Sequence, residues 1–134
     1  MKRIAMIFGV ALIAAGIAGF VPALCPDGKL FGVFAVDAAH NIFHIATGIF
    51  ALAMAAAGEA QSRTYFRIVG IVYVVLAGLG AVSGREGELM GMAHNGADLW
   101  LHAAIAALSL FLGFFSGTRE LPPGRGRGPD LRGI

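Results

Sequence analysis

Long apolar stretches separated by short polar breaks set the pattern of this chain. Residues 4–24 form 21 positions without a formal charge. Residues 38–58 form another 21, with His40, Asn41 and His44 as their strongly polar members. Residues 68–84 give 17 and residues 99–118 give 20. A helix needs about 20 predominantly apolar residues to cross the hydrocarbon core of a bilayer. A transmembrane barrel would instead show alternating segments of about ten residues. The pattern therefore predicts an all-α, integral membrane four-helix bundle, with every backbone group satisfied inside its own helix. Residues 1–118 would form the bundle and residues 119–134 a Gly/Pro/Arg-rich tail.

Composition sharpens this picture. Hydrophobic residues make up 57% of the 134 and charged residues 13%, about half the charged share of a soluble domain. A small fold cannot hide that much apolar surface from water. The first window could be a signal peptide, with Lys2 and Arg3 as its basic start. Its apolar run is longer than the usual 7–15 residues, and no small-x-small cleavage site follows. It reads as a retained span.

Basic residues set the orientation. Lys2, Arg3, Arg63, Arg67, Arg119, Arg125, Arg127 and Arg132 fall on one side of a four-span path, and only Lys29 and Arg85 on the other. The positive-inside rule then places both termini in the cytoplasm, with the spans in the cell's inner, cytoplasmic membrane. The net charge of +2 is too small to suggest nucleic acid. The expected partners are the lipid bilayer and a membrane protein, either a second copy or another chain. Tail arginines would lie near anionic headgroups. Tyr65, Phe66 and Trp100 read as interfacial anchors. Cys25 has no second cysteine to pair with inside the chain.

The two halves look alike. Residues 9–19 (GVALIAAGIAG) align with 70–80 (GIVYVVLAGLG). Asp37, His40 and His44 are spaced i, i+3, i+7, and Asn95, Asp98 and His102 repeat that spacing 58 residues later. Gly48, Ala51 and Ala55 match Ala106, Ser109 and Gly113. This predicts two tandem, parallel helical hairpins related by an axis along the membrane normal. At 100° per residue each polar triplet spans an arc of about 60°, one helix face. Small residues continue those faces, and small residues let helices approach closely in lipid. The second and fourth helices are therefore expected to meet through Gly48, Ala51, Ala55, Ala106, Ser109 and Gly113, with a joint polar cluster at the exoplasmic end.

Four chemistries compete for Asp37, His40, Asn41, His44, Asn95, Asp98 and His102, since ionisable groups within spans are costly and mark a paired or functional site. The plainest is an interhelical hydrogen-bond network in a non-enzymatic packing or accessory protein, with no cofactor. A second is a transition-metal site on His40, His44, Asp98 and His102. A third is haem between His44 and His102. The fourth is proton or ion movement along the polar face. Asp98 would need a donor, with His102, His40 and His44 as the nearest candidates.

The phrases Gly19-Phe-Val-Pro22, Leu30-Phe-Gly-Val-Phe34, His40-Asn-Ile-Phe-His44-Ile-Ala-Thr-Gly48 and Asn95-Gly-Ala-Asp98-Leu-Trp-Leu-His102 resemble a family of small bacterial four-span membrane proteins, the domain of unknown function of the 4383 type. The resemblance covers most of residues 1–116. It implies topology and polar positions and no known reaction. Asp37 stands where that pattern expects an asparagine.

The orientation has a direct test. A single cysteine near Arg63 should be protected from labelling outside the cell, and one at Asp27 should be reachable. The reverse pattern would overturn the assignment.

Overall fold

The computed structural model describes residues 1–83 and 86–116. Arg85 and the tail arginines lie outside the described residues. Four helices dominate: α1 (Lys2–Ala18), α2 (Ala38–Ala57), α3 (Glu59–Ser83) and α4 (Gly96–Leu110), the last continued by a wider π turn, Phe111–Phe115. Among the described residues, α2, α3 and α4 with its π turn are long and apolar enough to cross a membrane. At 1.5 Å per residue, the 17 residues of α1 reach about 25 Å, short of the ~30 Å hydrocarbon core. Pro22, which cannot continue a helix, lies just beyond its end and opens a 3₁₀ turn, Pro22–Leu24.

The chain is mostly helical, as an all-α reading expects, but not wholly so. Two antiparallel ribbons sit between the helices: β1 (Lys29–Leu30) with β2 (Phe34–Ala35), and β3 (Glu86–Leu89) with β4 (Met92–Asn95). Apolar windows alone do not reveal such short strands. Each ribbon turns at a bulky residue followed by glycine, both at positive φ: Phe31 (53°) and Gly32 (71°), then Met90 (54°) and Gly91 (79°). Two successive positive φ angles are what a tight hairpin turn requires, with glycine adopting one at no steric cost. The leucine before each turn, Leu30 or Leu89, is buried.

The third helix starts nine residues before the uncharged window at 68. Glu59-Ala-Gln-Ser-Arg is polar yet helix-compatible, so it prolongs the helix beyond the apolar stretch, to 25 residues or about 37 Å. Gly58 at φ 140° makes the break from α2. Arg63 and Arg67 thus belong to α3 rather than to a loop. The ends of the helices gather here: the Met1 amino group pairs with Glu59 at 2.8 Å, and Arg67 Nε donates to Gly113 O at 2.8 Å while its guanidinium stands over the Phe114 ring.

Buried positions recur at a seven-residue spacing. On α1 they are Ala5, Gly9, Leu12 and Gly16; on α2, Asn41, His44, Gly48, Ala51 and Ala55; on α3, Ser62, Phe66, Val69, Tyr73, Leu76 and Gly80. That repeat gives helices at small crossing angles. The small residues, however, do not join α2 to α4. A Cβ on Gly48 would stand 2.6 Å from Gly9 O, and one on Gly9 would stand 2.9 Å from the Ala51 Cβ. Gly70 gives the same closeness to Leu110, and Gly113 to Arg67. The tight seams are α1 against α2 and α3 against α4. Ala51, Ala55 and Ala106 instead share a core with Tyr65, Phe66 and Tyr73. These aromatics are fully buried rather than interfacial, because the large rings fill the space between the paired helices; Trp100 remains 73% exposed. One face per helix was legible in the sequence, but not which neighbour it meets.

Gly48→Ala should therefore lower thermal stability in detergent by about 1–3 kcal/mol through overpacking. Gly78→Ala, where an added Cβ meets nothing within 4 Å, should be neutral or mildly stabilising. Equal effects at the two sites would contradict the close α1–α2 seam.

Candidate functional site: a polar cluster where the halves meet

The cluster is built from helix starts. Asp37 caps α2, its Oδ1 accepting from His40 N at 2.8 Å. Asn95 caps α4, its Oδ1 accepting from Ala97 N (2.9 Å) and Asp98 N (3.1 Å). Asp98 Oδ2 accepts from Asn95 N at 2.9 Å, closing a capping box. Such caps satisfy amides that a helix start leaves without intrahelical partners. Asp37 and Asn95 thus do the same job, and an aspartate suits it as well as an asparagine.

The remaining polar atoms reach across to the other half. Asp37 Oδ2 accepts from Ala93 N in β4, and His40 Nδ1 lies 2.9 Å from Ala93 O. In return, Asp98 Oδ2 accepts from Ala35 N in β2 at 3.1 Å, and Asn95 Nδ2 donates to Val33 O at 2.7 Å. Ala35 and Ala93 are themselves 58 residues apart, the spacing of the polar triplets. Each helix start therefore grips the ribbon that precedes the other helix.

Inside this clasp lie the imidazoles. His40, His44 and His102 each offer a ligand atom, and these atoms lie within 4.8 Å of one another. The His40 and His44 rings meet edge-on with centroids 4.6 Å apart, and His102 lies 6.0 Å from His40. All three are at least nine-tenths buried. Asp98 is fully buried nearby, but its partners are backbone amides rather than a histidine, because the capping geometry turns Oδ2 to the chain. Asn41 is turned away towards α1, against Gly19, whose missing side chain makes room for it. Cys25 stands apart as well, its thiol donating to the carbonyls of Ala18 and Gly19 at the end of α1.

A cavity of about 150 Å³ opens beside the cluster, walled by His40, His44 and Asp98 and by apolar side chains including Leu30, Phe34 and Leu101. Sites for drug-sized ligands run from about 300 Å³ upward.

A family model described as a domain of unknown function (DUF4383) matches residues 2–115. The chain belongs to that family. Neither a curated protein nor a solved structure matches it. The DUF4383 match takes in all four helices and both ribbons, so the clasp lies wholly within it.

Two members of this DUF4383 cluster escaped the sequence reading. His94, on β4, is buried with its ring 6.2 Å from His102, and Gly80 leaves the space its Nε2 occupies. Tyr73 presents its ring edge-on to His102 at 5.3 Å. The signal for His94 was available in the repeated Leu-x-Gly of Leu30-Phe31-Gly32 and Leu89-Met90-Gly91, which marks a second ribbon leading into α4.

The capping box yields a test by double-mutant cycle. Asn95→Ala and Asp98→Ala should each destabilise the protein by about 1–2 kcal/mol. The double variant should lose less than the sum, since either change already opens the box. Additive losses in thermal unfolding would show the two side chains acting independently.

Proposed function

We propose that this is a four-span protein of the bacterial inner membrane, built from two tandem helical hairpins, that works without catalysing a reaction, as a packing or accessory subunit. The observation that carries this reading is the reciprocal clasp. Asp37, Asn95 and one oxygen of Asp98 are spent on capping one half and gripping the other. Polar side chains used in this way fix register between hairpins rather than meet a substrate. The equivalent duties of Asp37 and Asn95, and of Ala35 and Ala93, support the tandem arrangement.

The exterior supports the same reading. Ile7, Val10, Ile71, Val75, Trp100 and Phe115 are exposed and apolar, a surface suited to lipid or to another membrane helix. With α1 counted as a short span, Met1 and the π turn Phe111–Phe115 lie at the end that carries Lys2, Arg3, Arg63 and Arg67, and the positive-inside rule puts that end, with both termini, in the cytoplasm. The clasp and ribbons then lie at the exoplasmic surface.

Photo-reactive side chains placed singly at Ile7, Ile71, Val75 and Trp100 in living membranes test the accessory reading. It predicts one discrete protein adduct confined to a contiguous face, either a second copy or another chain. Lipid adducts alone from every face would contradict it.

A further inference from the structure

The clasp leaves several buried polar atoms without partners. Among the described residues these include His44 Nε2, His102 Nδ1 and Asp98 Oδ1. A buried nitrogen or oxygen with no partner costs about 1–3 kcal/mol. Three such atoms in one neighbourhood call for a common partner. Asp98 Oδ1 has no donor, and Asp98 lines one cavity with His40 and His44.

We infer that His40, His44 and His102 bind one divalent transition-metal ion of the zinc or copper class, with Asp98 facing the ion's open side. Two histidines one helical turn apart on α2 and a third from α4 supply three neutral nitrogen donors. Ligands at 2.0–2.1 Å from a tetrahedral ion stand about 3.4 Å apart, so atoms now within 4.8 Å close on it by side-chain rotation. His40 is set for the task. Its Nδ1 meets a carbonyl oxygen, Ala93 O, which can only accept. Nδ1 therefore carries the hydrogen, and Nε2 keeps its lone pair for the metal. A carbonyl fixing the tautomer from behind is the usual outer partner of a metal-binding histidine.

Charge and space agree with this assignment. A dication on three neutral imidazoles in an apolar interior needs an anion close by, and Asp98 lines one cavity with His40 and His44. Three protein ligands leave a fourth position for water or a small ligand, and the cavity of about 150 Å³ borders two of the three histidines, His40 and His44, together with Asp98. Imidazole nitrogens without thiolate suit zinc or copper(II). His94, held near Gly80 with its ring 6.2 Å from His102, is not among the three converging histidines. The site goes beyond the packing reading. The clasp uses Asp37, Asn95, Asp98 Oδ2 and His40 Nδ1, whereas the ion uses the remaining imidazole nitrogens and faces Asp98 Oδ1.

The full chain in detergent, stripped with a chelator, is titrated with Zn²⁺ and with Co²⁺ as a coloured substitute. The expected result is saturation at one ion per chain, visible absorption of four-coordinate cobalt, and a rise in melting temperature that chelator reverses. His44→Gln and His102→Gln should each weaken binding about 100-fold or more. Asp98→Asn, acting on the open side, should weaken it about 10–100-fold. Copper(II)-loaded protein should show nitrogen hyperfine structure in its electron paramagnetic resonance spectrum. Absence of saturable binding to the intact protein would overturn the site, whatever the variants do. So would binding that survives both His44→Gln and His102→Gln. Neither failure touches the accessory reading, which the membrane adducts decide.

Discussion

In an apolar medium every backbone amide and carbonyl needs a partner, and the starts of helices are where partners run out. This chain meets that constraint at α2 and α4 with side chains that each serve two halves at once. Asp37 caps its own helix through one oxygen and holds Ala93 N through the other. Asp98 closes its own capping box and holds Ala35 N. The ribbons exist to present those amides, and the glycine turns at Gly32 and Gly91 exist to fold the ribbons back. The interior placement of the histidines follows, since the grip brings the first turns of α2 and α4 together while the tight helical seams run within each half.

Much of the architecture was legible in the sequence. Apolar windows located the helices, because a long uncharged run leaves few alternatives. The i, i+3, i+7 triplets located the polar faces of α2 and α4, and His40, His44 and His102 do converge. What was not legible depends on backbone. Asp98 was expected to face a histidine, yet it binds amides, because a residue in the first helical turn sits beside unpaired N–H groups. The early start of α3 was hidden because charge was read as loop, although Glu59 to Arg67 is good helix sequence that can stand in the aqueous interface.

The small residues teach a related lesson. Gly48 and Ala51 do mark a close seam, but a stripe of small side chains says that something approaches closely and not what. Gly9 and Gly16 on α1 answer Gly48 and Ile45, so the stripe belongs to the α1–α2 seam. Likewise Gly19 and Gly80, which align when residues 9–19 are set against 70–80, make room for a polar ring or amide, Asn41 in one case and His94 in the other. Spacing alone did not name the occupant.

The central claim is that the two halves are joined by side chains gripping backbone amides. Amide hydrogen exchange in detergent, read residue by residue, tests it most directly. The amides of Ala35 and Ala93 should be strongly protected in the intact protein. In Asp37→Ala, Ala93 should lose protection while Ala35, held by Asp98, retains it and the helices stay intact. If Ala93 exchanges at the same rate with and without the Asp37 carboxylate, the grip is not what holds the halves together.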